Sequence, residues 1–166
     1  VFEIIEARNI FNINLEKLSI LIHPKSYVHS IINFKDGMIK IIAHETTMEI
    51  PIINSIYKNM KMNFNSKKLD LKKLNYLKLS KINYRKFPLV KILNILPNKI
   101  SLFETVIVSA NDELVRLYLK NKIKYKNIAG RLIKFINISE FKKYKNIPPK
   151  SISEIVKLDK YVRLKI

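Results

Sequence analysis

The 166-residue chain has no cysteine. That excludes a disulfide framework, a thiolate metal centre and a cysteine nucleophile, and it permits a reducing compartment without demonstrating one. There are only two glycines, Gly37 and Gly130. A phosphate cradle needs several glycines where the backbone approaches its ligand, so the chain carries neither a P-loop nor a dinucleotide fingerprint. No apolar run reaches the roughly 20 residues of a membrane-spanning helix. The first residues alternate acid with apolar and have no basic flank, so no signal or transit peptide is expected. No Ser/His/acid set has triad spacing. His23 and His29 stand six apart, not the four that places two histidines on one helix face, and this disfavours zinc.

Charge of one sign is abundant. The net charge is +19, which invites a nucleic-acid reading. However, only five of the 32 basic residues are arginine, the side chain that reads phosphate and base edges bidentately. The lysines are spread along the whole sequence, and Ile, Asn and Lys are over-used together. An A/T-rich coding sequence pushes composition that way whatever the function, so nucleic acid is disfavoured as a partner. Apolar residues make up 48% of the chain, which argues against wholesale disorder and suffices for one domain or two small ones.

Residues 1–11 place Phe2, Ile5, Ala7 and Ile10 near helical spacing, widened by Ile4 and Phe11, with Asn12 as the stop. Residues 18–22 and 28–34 are apolar runs suited to buried strands. The latter is followed by Asp36-Gly37 and a further β-rich run over 38–43, a hairpin signal. Pro51 suits the first turn of a helix. Residues 58–86 are rich in Lys and Asn and read as a connector with a short strand within 77–82. Phe87-Pro88 opens a helical half, with helices expected near 88–96, 109–121, 126–138 and 152–163. Ser109 with Asp112, and Ser151 with Glu154, have capping-box spacing. The expected fold class is α+β: a small mixed sheet with helices, then a C-terminal all-helical bundle. Val1 begins inside a helical pattern, which points to a segment of a longer protein or a processed product.

Three residues are candidates for chemistry. Glu3 lies on one helix face with Glu6 and is either a solvated, dipole-stabilised carboxylate or a hard oxygen ligand for Mg²⁺ or Mn²⁺. His29, in a strand beside Ser30, is either a satisfied core histidine or a site residue. Met48, before Pro51, is either gap-filling core or a contact for a flat cofactor ring. His23, just before Pro24, reads as structural, and His44, before Glu45 in a loop, is expected to be exposed.

Several blocks, in order, resemble the C-terminal part of 1-deoxy-D-xylulose 5-phosphate reductoisomerases. They are Phe2-Glu3-Ile4-Ile5-Glu6-Ala7-Arg8, then Ile22-His23-Pro24-Lys25-Ser26-Tyr27-Val28-His29-Ser30, then Asp36-Gly37 and Met48-Glu49-Ile50-Pro51-Ile52. The likeness resumes at Leu69-Asp70-Leu71, Phe87-Pro88-Leu89, Ser109-Ala110-Asn111-Asp112-Glu113 and Ser153-Glu154-Ile155. The resemblance implies an enzyme that rearranges a small phosphorylated sugar and reduces the product with NADPH. It further implies a divalent metal (Mg²⁺ or Mn²⁺) and a homodimer. By that resemblance Glu3 is a metal ligand facing the substrate, His29 an active-site histidine that supports substrate binding, and Met48 a neighbour of the nicotinamide.

The implied division is residues 1–57 as the end of a catalytic α/β domain, 58–86 as connector and 87–166 as helical bundle. The family's Rossmann domain and its other metal acids have no counterpart here, so an N-terminal part of the same enzyme is the implied partner and the segment alone is expected to be inactive. Departures from the family pattern are Thr46-Thr47 where Pro-Asp is usual, Glu49 where Arg is usual, and Val108-Ser109 and Asp112 at a helix start. A cytoplasmic enzyme is expected, with a plastid as the alternative. The rival readings are a freestanding basic module that binds RNA and a split-gene subunit that needs a separate N-terminal chain.

Overall fold

The computed structural model describes residues 1–57 and 70–166. Much of the expected connector, and Leu69 of the quoted motifs, lie outside the described residues. The chain divides into two compact units, Val1–Ser19 together with Asn83–Ile166, and Ile20–Ile82. The class is α+β.

The first unit is helical. Its α1, Phe2–Phe11, ends where Asn12 adopts the left-handed conformation (φ 48°, ψ 49°) and returns its N–H to the Arg8 carbonyl, the stop that an Asn can make without a glycine. Of the expected apolar stripe only Ile5 reaches the core, while Ile10 and Phe11 are exposed. Apolar residues lie nearly all round this ten-residue helix, so packing selects the edge, and it selects Ile5 with Arg8 one turn on. The α4 helix, Leu102–Leu119, begins seven residues before the expected start at 109. Ser101 and Glu104 have the same capping spacing as Ser109 and Asp112, and Ser101 is the true cap, its Oγ accepting from the Phe103 N–H at 3.3 Å. Ser109 instead lies inside the helix and donates to Asp159 at 2.7 Å.

Phe103, Val106, Ile107, Ala110 and Leu114 recur every three to four residues along α4 and are all buried, forming the axis of the core. Against them pack Leu132, Phe135 and Ile136 of α5 (Asn127–Ile136) and Leu158 and Val162 of α7 (Ile152–Lys165). Phe141, from the one-turn α6 (Ser139–Lys142), stacks on Phe135 with centroids 4.3 Å apart. The capping box at α7 forms as expected at Ser151, whose Oγ accepts from the Glu154 N–H, while the Glu154 carboxylate reaches back one residue further, to the Lys150 N–H. Pro88–Ile95 winds as a 3₁₀ helix, not the expected α-helix. Leu89, Ile92 and Ile95 stand three apart, and a three-residue turn aligns all three toward the core.

The second unit holds the strands. β2 (Val28–Asn33) and β3 (Ile39–Ala43) pair antiparallel around Asp36-Gly37, where Gly37 takes φ +87° and Asp36 Oδ1 accepts from the Met38 N–H. β1 (Leu21–Ile22) pairs antiparallel with β4 (Ser80–Lys81). Among the described residues the expected mixed sheet is therefore two separate antiparallel pairs. The strands are not buried either, since Ile31, Ile32, Phe34, Ile39, Ile41 and Ile42 are all exposed. In α2 (Glu49–Ile56) Pro51 occupies the third position, within the first turn as expected. Asp70 caps the short α3 (Leu71–Asn75), accepting from the Lys72 and Lys73 N–H groups.

Candidate active-site residues

Glu3 sits in the first turn of α1, exposed, in the helical unit. The same helix is anchored by Arg8, which is buried, forms an ion pair with Glu104 and donates to the Pro97 carbonyl at 2.8 Å. Burial lowers the affinity of the Arg8 guanidinium for its proton, and Glu104 supplies the opposing charge. The pair fixes the helix, and the helix fixes the Glu3 position. Among the described residues no group of three or more His, Asp or Glu side chains could hold a metal ion. One exposed carboxylate does not make a divalent-cation site. Its hard oxygen suits one ligand position in a larger set.

His29 lies in the second unit, on a β-bulge. Val28 pairs with Ala43 and Ser30 with Ile42, so β2 carries one residue more than β3 at that point, and the extra residue is His29. A bulge bends the strand and re-aims a side chain. The imidazole is exposed and lies flat on that of His44, with ring centroids 3.6 Å apart and 4° between the planes. His44 is half-buried, not exposed as its sequence context suggests. Its main-chain N–H donates to the Tyr27 carbonyl, and its Nδ1 lies 2.6 Å from the Glu45 carbonyl. Glu45 is held in turn by Lys73 Nζ, at 2.7 and 3.0 Å from its two oxygens, and the same ammonium lies 5.4 Å from the centre of the Tyr27 ring. The hydrogen bond it donates to Glu45 raises the Lys73 pKa above its usual value despite partial desolvation.

Met48 directly precedes α2 and is exposed. The nearby Thr47 hydroxyl accepts from the Glu49 N–H at 3.3 Å, a local turn just before the helix. His23 takes the structural role expected of it, since its Nδ1 lies 2.5 Å from the Leu77 carbonyl and ties the segment before β2 to the one before β4. His29 and Met48 thus fall in one unit and Glu3 in the other. Sequence reasoning missed the His44 stack. Its only trace is a second histidine one residue beyond the Asp-Gly hairpin, and a one-residue bulge leaves no mark in the apolar alternation.

The architecture is that of an α+β chain combining an antiparallel hairpin region with a helical bundle, the architecture of reductoisomerase structures. A profile described as the C-terminal domain of DXP reductoisomerase matches residues 44–165, and the chain belongs to that family. A 1-deoxy-D-xylulose 5-phosphate reductoisomerase of Pelagibacter ubique is 55% identical over 166 residues, covering all of this chain and 43% of that protein. The Francisella tularensis enzyme is 33% identical over 162 residues, 97% of this chain and 40% of the relative. The chain thus spans about two fifths of the length of the curated relatives it matches. The Zymomonas mobilis reductoisomerase, solved in complex with NADPH, superposes with a TM-score of 0.79 at 27% identity, over 98% of this chain and 42% of that one. A reductoisomerase solved with NADPH, fosmidomycin and magnesium has the same fold over 98% of this chain and 41% of its own (TM-score 0.86, 24% identity).

Proposed function

We propose that this chain forms the C-terminal part of an enzyme that converts 1-deoxy-D-xylulose 5-phosphate to 2-C-methyl-D-erythritol 4-phosphate using NADPH and Mg²⁺ or Mn²⁺. The observation that carries the reading is the family match over residues 44–165, joined by 55% identity to one reductoisomerase along the whole chain. The relatives are more than twice as long, so the Rossmann domain and the remaining metal ligands belong to a further, N-terminal part, as does the bulk of both sites. In that frame residues 1–57 complete the catalytic domain, 58–86 connect, and 87–166 form the bundle. A homodimer is the proposed assembly. The relatives named above are bacterial, which favours the cytoplasm over a plastid.

A bound divalent cation supplies polarisation of substrate oxygens, and NADPH supplies the hydride. This chain's own residues hold and orient. Glu3 offers a carboxylate from a helix start that is clamped by the Arg8–Glu104 pair. His29 offers a ring nitrogen to a substrate oxygen from a bulge that faces it outward. Met48 would offer an apolar, polarisable side chain to the flat nicotinamide.

The test is an NADPH-oxidation assay with 1-deoxy-D-xylulose 5-phosphate and Mg²⁺. The isolated chain is expected to show no turnover, and the longer enzyme containing it full turnover. In that enzyme Glu3→Gln should lower kcat/KM by at least about a hundredfold, since even the outer partners of metal ligands contribute tenfold or more. Turnover by the isolated chain, or an unaffected Glu3→Gln enzyme, would overturn the proposal.

A further inference from the structure

We infer that His44 is a positioning residue for His29, fixing the plane and tautomer of the active-site imidazole. The inference rests on the reading of His29 given above. Residues diagonal to one another across an antiparallel pair ordinarily lie about 7–8 Å apart. Here the bulge at His29 swings its ring over that of His44, to a centroid distance of 3.6 Å and an interplanar angle of 4°. An exposed histidine on a hairpin would otherwise sample several rotamers, and one flat face against a fixed ring removes most of that freedom.

The tautomers follow from the hydrogen bonds. His29 Nε2 lies 3.4 Å from the His44 carbonyl, and only a protonated nitrogen can donate there. With that proton on Nε2, the neutral ring presents the Nδ1 lone pair to a ligand. His44 Nδ1 donates to the Glu45 carbonyl at 2.6 Å, which sets its own ring.

His44 can serve as the reference surface because it is held on two sides. Its main-chain N–H is bonded to Tyr27, the residue two before His29, and its neighbour Glu45 is gripped by both Lys73 bonds. Lys73 belongs to α3, whose first turn Asp70 caps. The orientation of His29 is therefore referred, through His44 and Glu45, to a helix and not to a free loop. Small misplacements of a reacting or binding group are costly to turnover, which is the effect such a support removes.

The experiment uses the intact reductoisomerase that contains this chain, with His29→Ala, His44→Ala, His44→Phe and the His29→Ala/His44→Ala double variant. Each is assayed for kcat and KM with 1-deoxy-D-xylulose 5-phosphate and checked for folding by circular dichroism. His44→Ala should lower kcat/KM by about tenfold, and His44→Phe, which keeps a flat ring, should recover it to within about twofold. The double variant should be no worse than His29→Ala alone, because the two residues act as one. If His44→Ala does not fold, His44→Gln is read in the same cycle, with the same expected loss.

Two results would overturn the inference while leaving the reading of His29 intact: His44 variants at full activity beside an impaired His29→Ala enzyme, or additive losses in the double variant. An unimpaired His29→Ala enzyme would overturn the reading of His29 and the inference with it.

Discussion

The two units of this chain use apolar side chains in opposite ways. In the helical unit one set of them builds a core, and every buried residue among those described lies there, from Ile5 through the α4 axis to Val162, while Ile10, Phe11, Leu119, Ile152 and Leu164 stay exposed. In the unit Ile20–Ile82 no described residue is buried, yet Ile31, Ile32, Phe34, Ile39, Ile41 and Ile42 are all held on one short hairpin. Apolar side chains thus produce a core in one unit and none among the described residues of the other. By the register, Ile31, Ile39 and Ile41 share one face of the hairpin and Ile32 and Ile42 the other, so neither face is covered. The bundle is where stability resides, and the hairpin is where two of the proposed site residues, His29 and Met48, are displayed.

That contrast can be broken most forcefully at its strongest point. Phe103→Ala empties the centre of the bundle and should cost about 3–5 kcal/mol, read as a lowered midpoint in urea unfolding. Arg8→Ala leaves Glu104 buried without its partner and should cost about 3 kcal/mol in the same measurement. If it costs nothing, the pair does not anchor α1 or the Glu3 it carries. Next comes Ser151→Ala, which removes an α7 cap and should cost about 1 kcal/mol.

A smaller, pH-dependent effect centres on Asp159. Burial pushes its carboxyl up, but hydrogen bonds from Ser109 and Arg163 outweigh this and hold it below the ordinary value of 3.8. A depressed folded pKa gives stability that is complete above 3.8 and is lost as pH falls through the folded value. Thermal melts of Ser109→Ala should therefore lose part of the difference between neutral pH and pH 3. An unchanged pH profile would remove this link between α4 and α7. The smallest effect belongs to the hairpin, where Ile41→Ser should change stability by less than about 0.5 kcal/mol, because Ile41 is already exposed.

What the sequence made legible follows the same division. The β2–β3 hairpin, the Asn12 stop, the α5 segment and the Ser151 cap are written in local chemistry, and local chemistry survives folding. The start of α4 was not, because Ser101 and Ser109 offer the same capping spacing and only the burial of Phe103 and Val106 favours the earlier one. The 3₁₀ turn at Pro88–Ile95 and the exposed strands depend on what packs against them, which no local pattern states. For the site, residue types and order pointed to Glu3, His29 and Met48. The His29–His44 stack could not be read, because a bulge is a matter of register, and register appears only once two strands are paired.

The central claim is that stability is confined to the helical unit while the hairpin unit is held open for display. Hydrogen exchange followed residue by residue in the native chain addresses it directly. The account predicts that the amides of α4, α5 and α7 exchange only through global unfolding, with β2 and β3 exchanging orders of magnitude faster through local opening. Equal protection in the two units would contradict it, because the hairpin would then share a cooperative core that its uncovered isoleucines do not provide.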